Sequence, residues 1–188
     1  MNTNDELVDY LVEKGDIKTE RIEEAFRKVD RADFVETAPY VDRPAYLEEG
    51  STVSAPHIVA QMLEILRPEG KILEMGSGSG YVLALLNELA EEVVGVERIE
   101  RLVEESQEKV PEAKMILGDS VPDENFDQIL YSFATEDIEE ALQNAGLVVA
   151  PIVEDGRQVL KKFENGEEQA FTRVRFVEER QGLRDDLD

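Results

Sequence analysis

The sequence predicts an α/β fold in which a doubly wound, mostly parallel sheet ends in an antiparallel hairpin. From Lys71 onward, short apolar segments alternate with helical patterns, and this spacing is typical of βαβ units. A glycine-rich turn follows the first of these segments, as in α/β proteins that bind nucleotide-like ligands. After Gly156 the alternation stops, and two strand-like segments flank Glu164-Asn165-Gly166. A chain of 188 residues suffices for one such domain with a small addition.

Helical patterns occupy the amino-terminal part of the chain. Residues 6–14 carry apolar side chains at helical spacing and end at Gly15, a typical stop signal. We expect Thr19 to cap a second helix that runs to about Val29 and presents one apolar face. Pro39 and Pro44 predict an irregular segment at residues 40–50. We therefore expect residues 1–50 to form a helical segment that packs on the core.

The rest of the chain predicts the core domain, residues 51–180, and a frayed tail at 181–188. A third helix begins at Ser54-Ala55-Pro56, because proline favours the first helical position, and runs to about Leu66. The alternating part predicts strands at 71–75, 92–97, 114–118, 126–132 and 147–153 and helices at 79–90, 99–109 and 136–144. The closing hairpin is predicted at 158–163 and 170–179, at one edge of the sheet.

The composition is strongly acidic. The chain has 44 Asp and Glu against 20 Lys and Arg, which gives a net charge of −24. Such a field repels nucleic acid and anionic membranes, so we expect neither as a partner. Because the acids are dispersed, the surface resembles that of haloarchaeal proteins, where salt screens self-repulsion; a basic partner is the alternative. Absence of cysteine excludes disulfides, thiolate nucleophiles and Cys-ligated zinc, and we expect no metal.

The glycine turn predicts the ligand. Glu74 ends the first strand, and Gly76, Gly78 and Gly80 follow it, separated by Ser77 and Ser79. A dinucleotide fingerprint needs glycine where Tyr81 stands. The E-x-G-x-G-x-G pattern instead resembles motif I of class I S-adenosylmethionine-dependent methyltransferases, whose fold is a Rossmann-like α/β sheet. We expect this turn to bind S-adenosylmethionine; a structural turn without a ligand is the alternative.

Two further acids follow predicted strands at the same sheet edge. Glu97 comes 17 residues after Gly80 and is placed to accept hydrogen bonds from ribose hydroxyls. Asp119 follows the third strand and is placed to accept from an adenine amino group. The matching positions of class I methyltransferases have these roles. We expect Glu97 and Asp119, with their neighbours Arg98 and Ser120, to bind the cofactor.

Several ordered segments resemble the protein-L-isoaspartate O-methyltransferase family. They are residues 29–35 (its V-P-R-x-x-F-V, with Asp30 for proline), 40–44 (Y-x-D-x-P), 50–57 (G-x-T-I-S-x-P-H), 72–81 (V-L-E-I-G-x-G-S-G-Y), 158–160 (Q-x-L) and 174–177 (V-R-F-V). The resemblance spans most of the chain, and residues 50–57 match the family's most distinctive segment.

This resemblance implies methyl transfer from S-adenosylmethionine to the α-carboxylate of L-isoaspartyl residues, a protein-repair reaction. By resemblance Ser54 takes the active-site serine position, while Thr52, Val53, His57 and Asp42 face the substrate. The implied chemistry needs no general base or metal, since a carboxylate with a pKa of roughly 4 is ionised at neutral pH. Ser54 would then position the carboxylate; its alternative role is to cap the third helix. His57 is alternatively a plain surface residue.

Two other functions stay open. Ser120, Ala145-Gly146 and Glu178-Glu179 depart from the family pattern near the predicted site. The chain is therefore alternatively a methyltransferase for another carboxylate or small molecule, or a non-catalytic protein that binds adenosyl ligands. From the polar amino terminus and the absence of a long apolar run we expect a cytoplasmic protein without a membrane span. We also expect a monomer whose partners are isoaspartyl-containing proteins or peptides.

The net charge predicts that stability depends on salt. As KCl increases from about 0.1 M to about 2 M, screening shortens the Debye length toward about 3 Å and relieves repulsion among the acidic side chains. We expect the thermal midpoint to climb steeply, because each kcal/mol recovered adds roughly 2–4 °C for a domain of this size. Calorimetry across a KCl series checks this. A flat profile up to molar KCl would contradict salt adaptation.

Overall fold

The computed structural model describes residues 1–47, 50–180 and 182. The helices in this part are α1 (Asn4–Lys14), α2 (Glu20–Lys28), α3 (Pro56–Leu66), α4 (Tyr81–Asn87), α5 (Glu100–Lys109) and α6 (Glu139–Asn144), with a short 3-10 helix at Arg31–Asp33. The strands are β1 (Ala45–Tyr46), β2 (Thr52–Val53), β3 (Lys71–Met75), β4 (Glu92–Glu97), β5 (Lys114–Leu117), β6 (Phe126–Tyr131), β7 (Ala145–Glu154), β8 (Arg157–Glu164) and β9 (Glu167–Val174).

One seven-stranded sheet carries the fold, with strand order β5-β4-β3-β6-β7-β8-β9. The strands from β5 to β7 are parallel, and β7, β8 and β9 pair antiparallel. The predicted α/β architecture and its closing hairpin at the sheet edge are confirmed. The order reverses between β3 and β6, and in open α/β sheets ligands bind beyond the carboxyl ends of the strands at such a point.

Apolar side chains cover both faces of the sheet. Ile72 and Val93 belong to the buried cluster that also contains the apolar faces of α1 to α4. Leu73 and Val94, their neighbours along β3 and β4, belong to a second cluster that includes Ile138 beside α6. Because successive strand residues point to opposite faces, this alternation produces a doubly wound sheet with a core on each side.

The amino-terminal helices pack against this core. Asn4 is buried, and its side-chain amide donates to the Phe26 carbonyl oxygen (2.7 Å), which joins α1 to α2. Arg21 Nη1 donates to the Pro68 carbonyl oxygen (2.7 Å) beyond α3. Thr19 occupies the predicted N-cap position of α2, but its side chain makes no capping hydrogen bond. Its backbone N–H instead donates to Glu64 on α3 (2.8 Å), and so does its hydroxyl (3.2 Å).

Three of the element boundaries that differ from those predicted have a clear physical cause. Helix α4 begins at Tyr81, because the preceding Gly80 has φ +85°, outside the helical region. Helix α6 begins only at Glu139, because the Thr135 backbone is hydrogen-bonded to Pro151 and Val153 in β7 and so cannot start the helix. Strand β9 ends at Val174. Beyond it, the Gln158 side chain accepts from the Phe176 N–H (2.6 Å) and donates to the Phe176 carbonyl oxygen (3.2 Å), so these bonds take the place of backbone pairing with β8.

Residues beyond β9 turn toward the carboxyl end of β6. The N–H of Ala134 donates to the Val177 carbonyl oxygen (2.9 Å), and the N–H of Glu179 donates to the Ala134 carbonyl oxygen (2.7 Å). The predicted turn between β8 and β9 is confirmed, with positive φ at Asn165 and Gly166. The predicted frayed tail at 181–188 lies outside the described residues, apart from Gly182.

Packing under the glycine turn predicts the cost of one methyl group. A Cβ at Gly95 in β4 would lie 2.5 Å from Met115 Sδ and closer still to Ser77 Oγ. We expect Gly95→Ala to lower the free energy of unfolding by about 1–3 kcal/mol, as overpacked cores do. Gly146→Ala in β7 is the control, because its Cβ would meet nothing nearer than the Asp127 oxygen at 3.7 Å. Urea unfolding measures both; equal stabilities would contradict this packing.

Candidate functional site

A crevice opens beyond the carboxyl ends of the parallel strands, where their order reverses. It holds about 720 Å³ of empty space, part of it open to solvent. The lining residues are Gly50, Ser51, Thr52, Met75, Gly76, Gly78, Val96, Glu97, Arg98, Gly118, Asp119, Ser132, Phe133, Val177, Glu178, Glu179 and Arg180. The glycine turn, the ends of β4, β5 and β6, the hairpin β1–β2 and the segment after β9 thus surround one cavity.

The glycine turn bends back on the end of β4. The N–H groups of Gly76 and Ser77 donate to the Val96 carbonyl oxygen (2.8 and 3.2 Å). Gly76, Gly78 and Gly80 all have positive φ, between +53° and +85°, which disfavours any residue with a Cβ. A Cβ at Gly76 would also lie 2.6 Å from the Phe133 ring. The backbone path therefore needs all three glycines, and the contact with Phe133 leaves no space for a side chain at Gly76.

Glu97 holds this turn in place from the end of β4. Its Oε2 accepts from the Gly78 N–H (3.0 Å), and its Oε1 accepts from the N–H groups of Arg98 (2.8 Å) and Ile99 (3.1 Å). The side chain is buried but borders the crevice. Since each carboxylate oxygen accepts about two hydrogen bonds, Oε2 retains capacity for a ligand donor.

Glu74 lies directly beneath the turn. It is 1% exposed, its Oε1 accepts from the Ser132 hydroxyl (2.7 Å), and its Oε2 has no hydrogen-bond partner. Burial raises the pKa of this carboxyl to about 8; the Ser132 hydroxyl opposes the rise, and the negative charge of Glu97 adds to it. Glu74 is thus a buried acid beneath the turn, outside the crevice lining, with one oxygen unpartnered.

The adenine-side residues contact the carboxyl-terminal segment. Asp119 is exposed, and its Oδ2 accepts from the Gly182 N–H (2.7 Å). Arg98 Nη1 donates to the carbonyl oxygen of the same Gly182 (3.1 Å). Both side chains line the crevice, so Gly182 closes the side where the sequence predicts the adenine. Ser120 is exposed and lines a neighbouring acidic pocket instead.

The predicted substrate loop begins at the hairpin β1–β2. Thr52 lines the crevice, whereas Val53 is 6% exposed and belongs to the core. Ser54 follows it, half-buried, and its hydroxyl makes no hydrogen bond within the described part of the chain. The alternative that Ser54 caps α3 is wrong, because Ala55 occupies the N-cap position. Pro56 forces the residue before it into an extended conformation, which Ala55 adopts (φ −59°, ψ 139°).

Asp42 and His57 fix the other end of this loop. Asp42 Oδ1 accepts from the His57 backbone N–H (3.0 Å), and His57 Nδ1 lies 2.8 Å from the same oxygen. Because a carboxylate only accepts, Nδ1 carries the hydrogen in this contact. The alternative of a plain surface His57 is therefore incomplete, since the side chain joins residues 15 positions apart.

The crevice includes only part of the predicted set. Its walls contain Thr52, Gly76, Gly78, Glu97, Arg98 and Asp119. Outside its lining lie Asp42, Val53, Ser54, His57, Glu74, Ser77, Ser79, Gly80 and Ser120. Sequence reasoning gave no role to Ser132 and Phe133, which lie at the end of a predicted strand at the same edge. It placed Glu178 and Glu179 near the site but missed the neighbouring Val177 and Arg180, for which the sequence offered no such signal.

Neither a membrane-spanning helix nor a metal site is found in the part of the chain that the structure describes. Within the described ranges, no helix combines the length and apolarity needed to cross a bilayer. The same residues contain no group of three or more His, Cys, Asp or Glu arranged to hold a metal ion.

The buried Glu74 predicts a pH effect on stability. Its pKa rises from 4.5 to about 8 on folding, so between these values the folded protein binds its proton more tightly than the unfolded chain. The contribution of Glu74 to stability is therefore largest below pH 4.5, declines as pH rises, and is lost above about pH 8. Relative to wild type, we expect Glu74→Gln to gain about 1–3 kcal/mol of unfolding free energy between pH 5 and pH 8.

Urea unfolding of the ligand-free proteins at several pH values measures this difference. The matched control is Glu112→Gln, which removes the same charge from an exposed position. Its stability relative to wild type should vary much less with pH. A Glu74→Gln profile parallel to that of wild type would contradict a raised pKa for Glu74.

Comparisons with known proteins agree with this geometry. The family model for protein-L-isoaspartate(D-aspartate) O-methyltransferase matches residues 2–180. A protein-L-isoaspartate O-methyltransferase from Methanoculleus marisnigri is 36% identical over 167 residues, covering 79% of this chain and 76% of that protein. One from Methanopyrus kandleri is 35% identical over 187 residues, covering 86% and 83%.

Solved structures agree as well. A structure described as a protein-L-isoaspartate O-methyltransferase of Plasmodium falciparum, in complex with S-adenosyl-L-homocysteine, is 27% identical with a TM-score of 0.85. The match covers 96% of this chain and 99% of that one. A second protein-L-isoaspartate O-methyltransferase structure, 23% identical with a TM-score of 0.83, shows the same fold over 96% of this chain and 67% of its own. This chain belongs to the protein-L-isoaspartate O-methyltransferase family.

Proposed function

We propose that this protein transfers the methyl group of S-adenosylmethionine to the α-carboxylate of L-isoaspartyl residues in damaged proteins. One observation carries the proposal: the hairpin that leads into Ser54 also forms a wall of the crevice that ends on the glycine turn. Thr52 lines this crevice together with Gly76 and Gly78. One predicted substrate residue, Thr52, therefore shares a cavity with the predicted cofactor residues, and Ser54 follows it two positions along the chain.

The residues of the crevice fit S-adenosylmethionine. Glu97 retains acceptor capacity for ribose hydroxyls, and the positive φ values of Gly76 and Gly78 leave the backbone open to the methionine part. Asp119 would accept from the adenine amino group, beside Arg98. The unpartnered Oε2 of buried Glu74 favours a positively charged group nearby. When bound, S-adenosylmethionine supplies an electrophilic methyl on its sulfonium sulfur.

The chain's own task is to bind and align the carboxylate. At neutral pH that group is already ionised, since its pKa is roughly 4, so no residue has to remove a proton. The Ser54 hydroxyl, which lacks a partner of its own, would donate to one carboxylate oxygen and leave the other free to attack. The contact of Asp42 with His57 holds the following helix and hence the loop. Val53 is buried in the core and anchors the loop from below.

Negative charge at the mouth of the crevice favours the two alternative functions. Glu178 and Glu179 line the cavity and are exposed. Their negative charge opposes an anionic peptide at low salt, as expected of a member that methylates a different substrate or only binds an adenosyl ligand.

We also propose that the protein functions in a salty cytoplasm and as a monomer, without nucleic-acid or membrane partners. The net charge of −24 supports the salt adaptation and the exclusion of polyanions. The exposed large apolar side chains support a monomer, because Val12, Tyr46, Leu117, Leu142 and Phe171 each lie on a different helix or strand.

Methyl transfer to matched peptides tests the activity. Labelled S-adenosylmethionine is incubated with an isoaspartyl peptide and with its normal aspartyl twin, in about molar KCl to screen the acidic surface. We expect base-labile label on the isoaspartyl peptide alone. No label, with S-adenosylhomocysteine binding confirmed by calorimetry in the same buffer, would contradict the proposal and favour the alternatives.

The proposed role of Ser54 predicts a selective loss of turnover. Ser54→Ala removes one hydrogen bond to a charged group, which should lower turnover by about 10- to 100-fold. We expect S-adenosylhomocysteine affinity to stay within about threefold, because the Ser54 side chain lies outside the crevice lining. Thr172→Ala, an exposed hydroxyl deletion on β9, controls for handling and should change neither quantity. Unchanged turnover in Ser54→Ala would refute this role.

A further inference from the structure

A buried arginine lies behind the substrate loop. Arg31, in the 3-10 helix after α2, is fully buried. Its Nη1 donates to the Pro39 carbonyl oxygen (2.8 Å), and its Nη2 donates to the Ser54 carbonyl oxygen (3.1 Å). One guanidinium therefore joins the segment before Asp42 to the residue that we place against the substrate carboxylate.

The charge of this guanidinium is not neutralised by a carboxylate. Among the described residues, none places a carboxylate within ion-pair distance of Arg31, and its Nε has no hydrogen-bond partner. The charge of Asp42 acts on Arg31 from a distance, but the Asp42 carboxylate is hydrogen-bonded to His57 instead. The Tyr81 ring, 5.5 Å from Arg31 Cζ, offers the cation an aromatic face.

Burial of an unpaired cation is costly, and a structural role alone does not require the charge. Both hydrogen bonds of Arg31 go to neutral carbonyl oxygens, which a neutral donor would also satisfy. A guanidinium remains protonated even where burial lowers its pKa, as it does here. The site therefore has a fixed positive charge behind Ser54.

The proposed reaction needs such a charge. Its substrate is an anion that must approach a protein of net charge −24, past Glu178 and Glu179 at the crevice. Methylation converts the carboxylate into a neutral ester. A fixed positive charge near Ser54 attracts the substrate and has no such attraction for the product.

We propose that Arg31 is a positioning residue whose charge, acting through the Ser54 segment, makes the site prefer the substrate carboxylate over its methyl ester. This inference rests on the proposed function. Arg43 and Arg180 carry positive charge nearby in sequence or at the crevice, but both are exposed. Salt screens exposed charges strongly and buried ones much less, so the contribution of Arg31 persists at high salt.

The test compares the binding of two peptides to the protein saturated with S-adenosylhomocysteine. One peptide carries the isoaspartyl acid and the other its methyl ester. In wild type we expect the acid to bind about tenfold more tightly than the ester, in both about 0.1 M and about 1 M KCl. Arg31→Gln should abolish this preference by weakening the acid about tenfold, with the ester within about twofold. Arg31→Lys should retain most of the preference.

Each result has a definite meaning. If Arg31→Gln binds S-adenosylhomocysteine normally and weakens acid and ester equally, Arg31 is merely structural and the proposal is overturned. If Arg31→Gln does not fold, the salt dependence of peptide binding to the wild-type protein decides the question. A preference for the acid that persists in about molar KCl supports a buried charge, and one that vanishes there assigns the effect to exposed arginines. The failure of the proposed function appears separately, as a wild type that methylates no isoaspartyl peptide.

Discussion

The arrangement of the site depends on the carboxylate of Glu97. It accepts backbone N–H groups from the glycine turn and from the start of the next connection, at Gly78, Arg98 and Ile99. Without it, these donors would be left without an acceptor beside a crevice. The parallel pairing of β3 with β4 sets the distance that the side chain spans. A side chain expected only to bind ribose therefore also holds the turn that surrounds the ligand.

Two buried ionisable side chains lie near the crevice without lining it. Glu74 lies beneath the glycine turn with one oxygen unpartnered, and Arg31 lies behind Ser54 with its Nε unpartnered. The proposed cofactor is cationic at its sulfonium, and the proposed substrate is anionic. The acid Glu74 lies on the side proposed for the cofactor, and the cation Arg31 lies behind the residue proposed to hold the substrate. Each group therefore suits the charge of its ligand.

The sheet and the cofactor side of the site could be predicted because their signals are local. Glu74 and Glu97 lie at the ends of apolar strands and Asp119 lies just beyond one, and parallel strands end at one edge. Contacts between distant segments left no such signal. Arg31 meets Ser54 across 23 positions, and Gly182 meets Asp119 across 63. The alternative role of Ser54 as the cap of α3 is wrong because Pro56 dictates the conformation of Ala55, which outweighs the preference of serine for caps.

A crystal structure with S-adenosylhomocysteine and an isoaspartyl peptide would show whether the crevice at Glu97 and the loop at Ser54 form one active site. We expect ribose hydroxyls on Glu97, with its bond to the Gly78 N–H retained, and the peptide carboxylate on the Ser54 hydroxyl, facing the sulfur. A nucleoside bound elsewhere, or a peptide carboxylate remote from Ser54 while the nucleoside occupies the crevice, would contradict it.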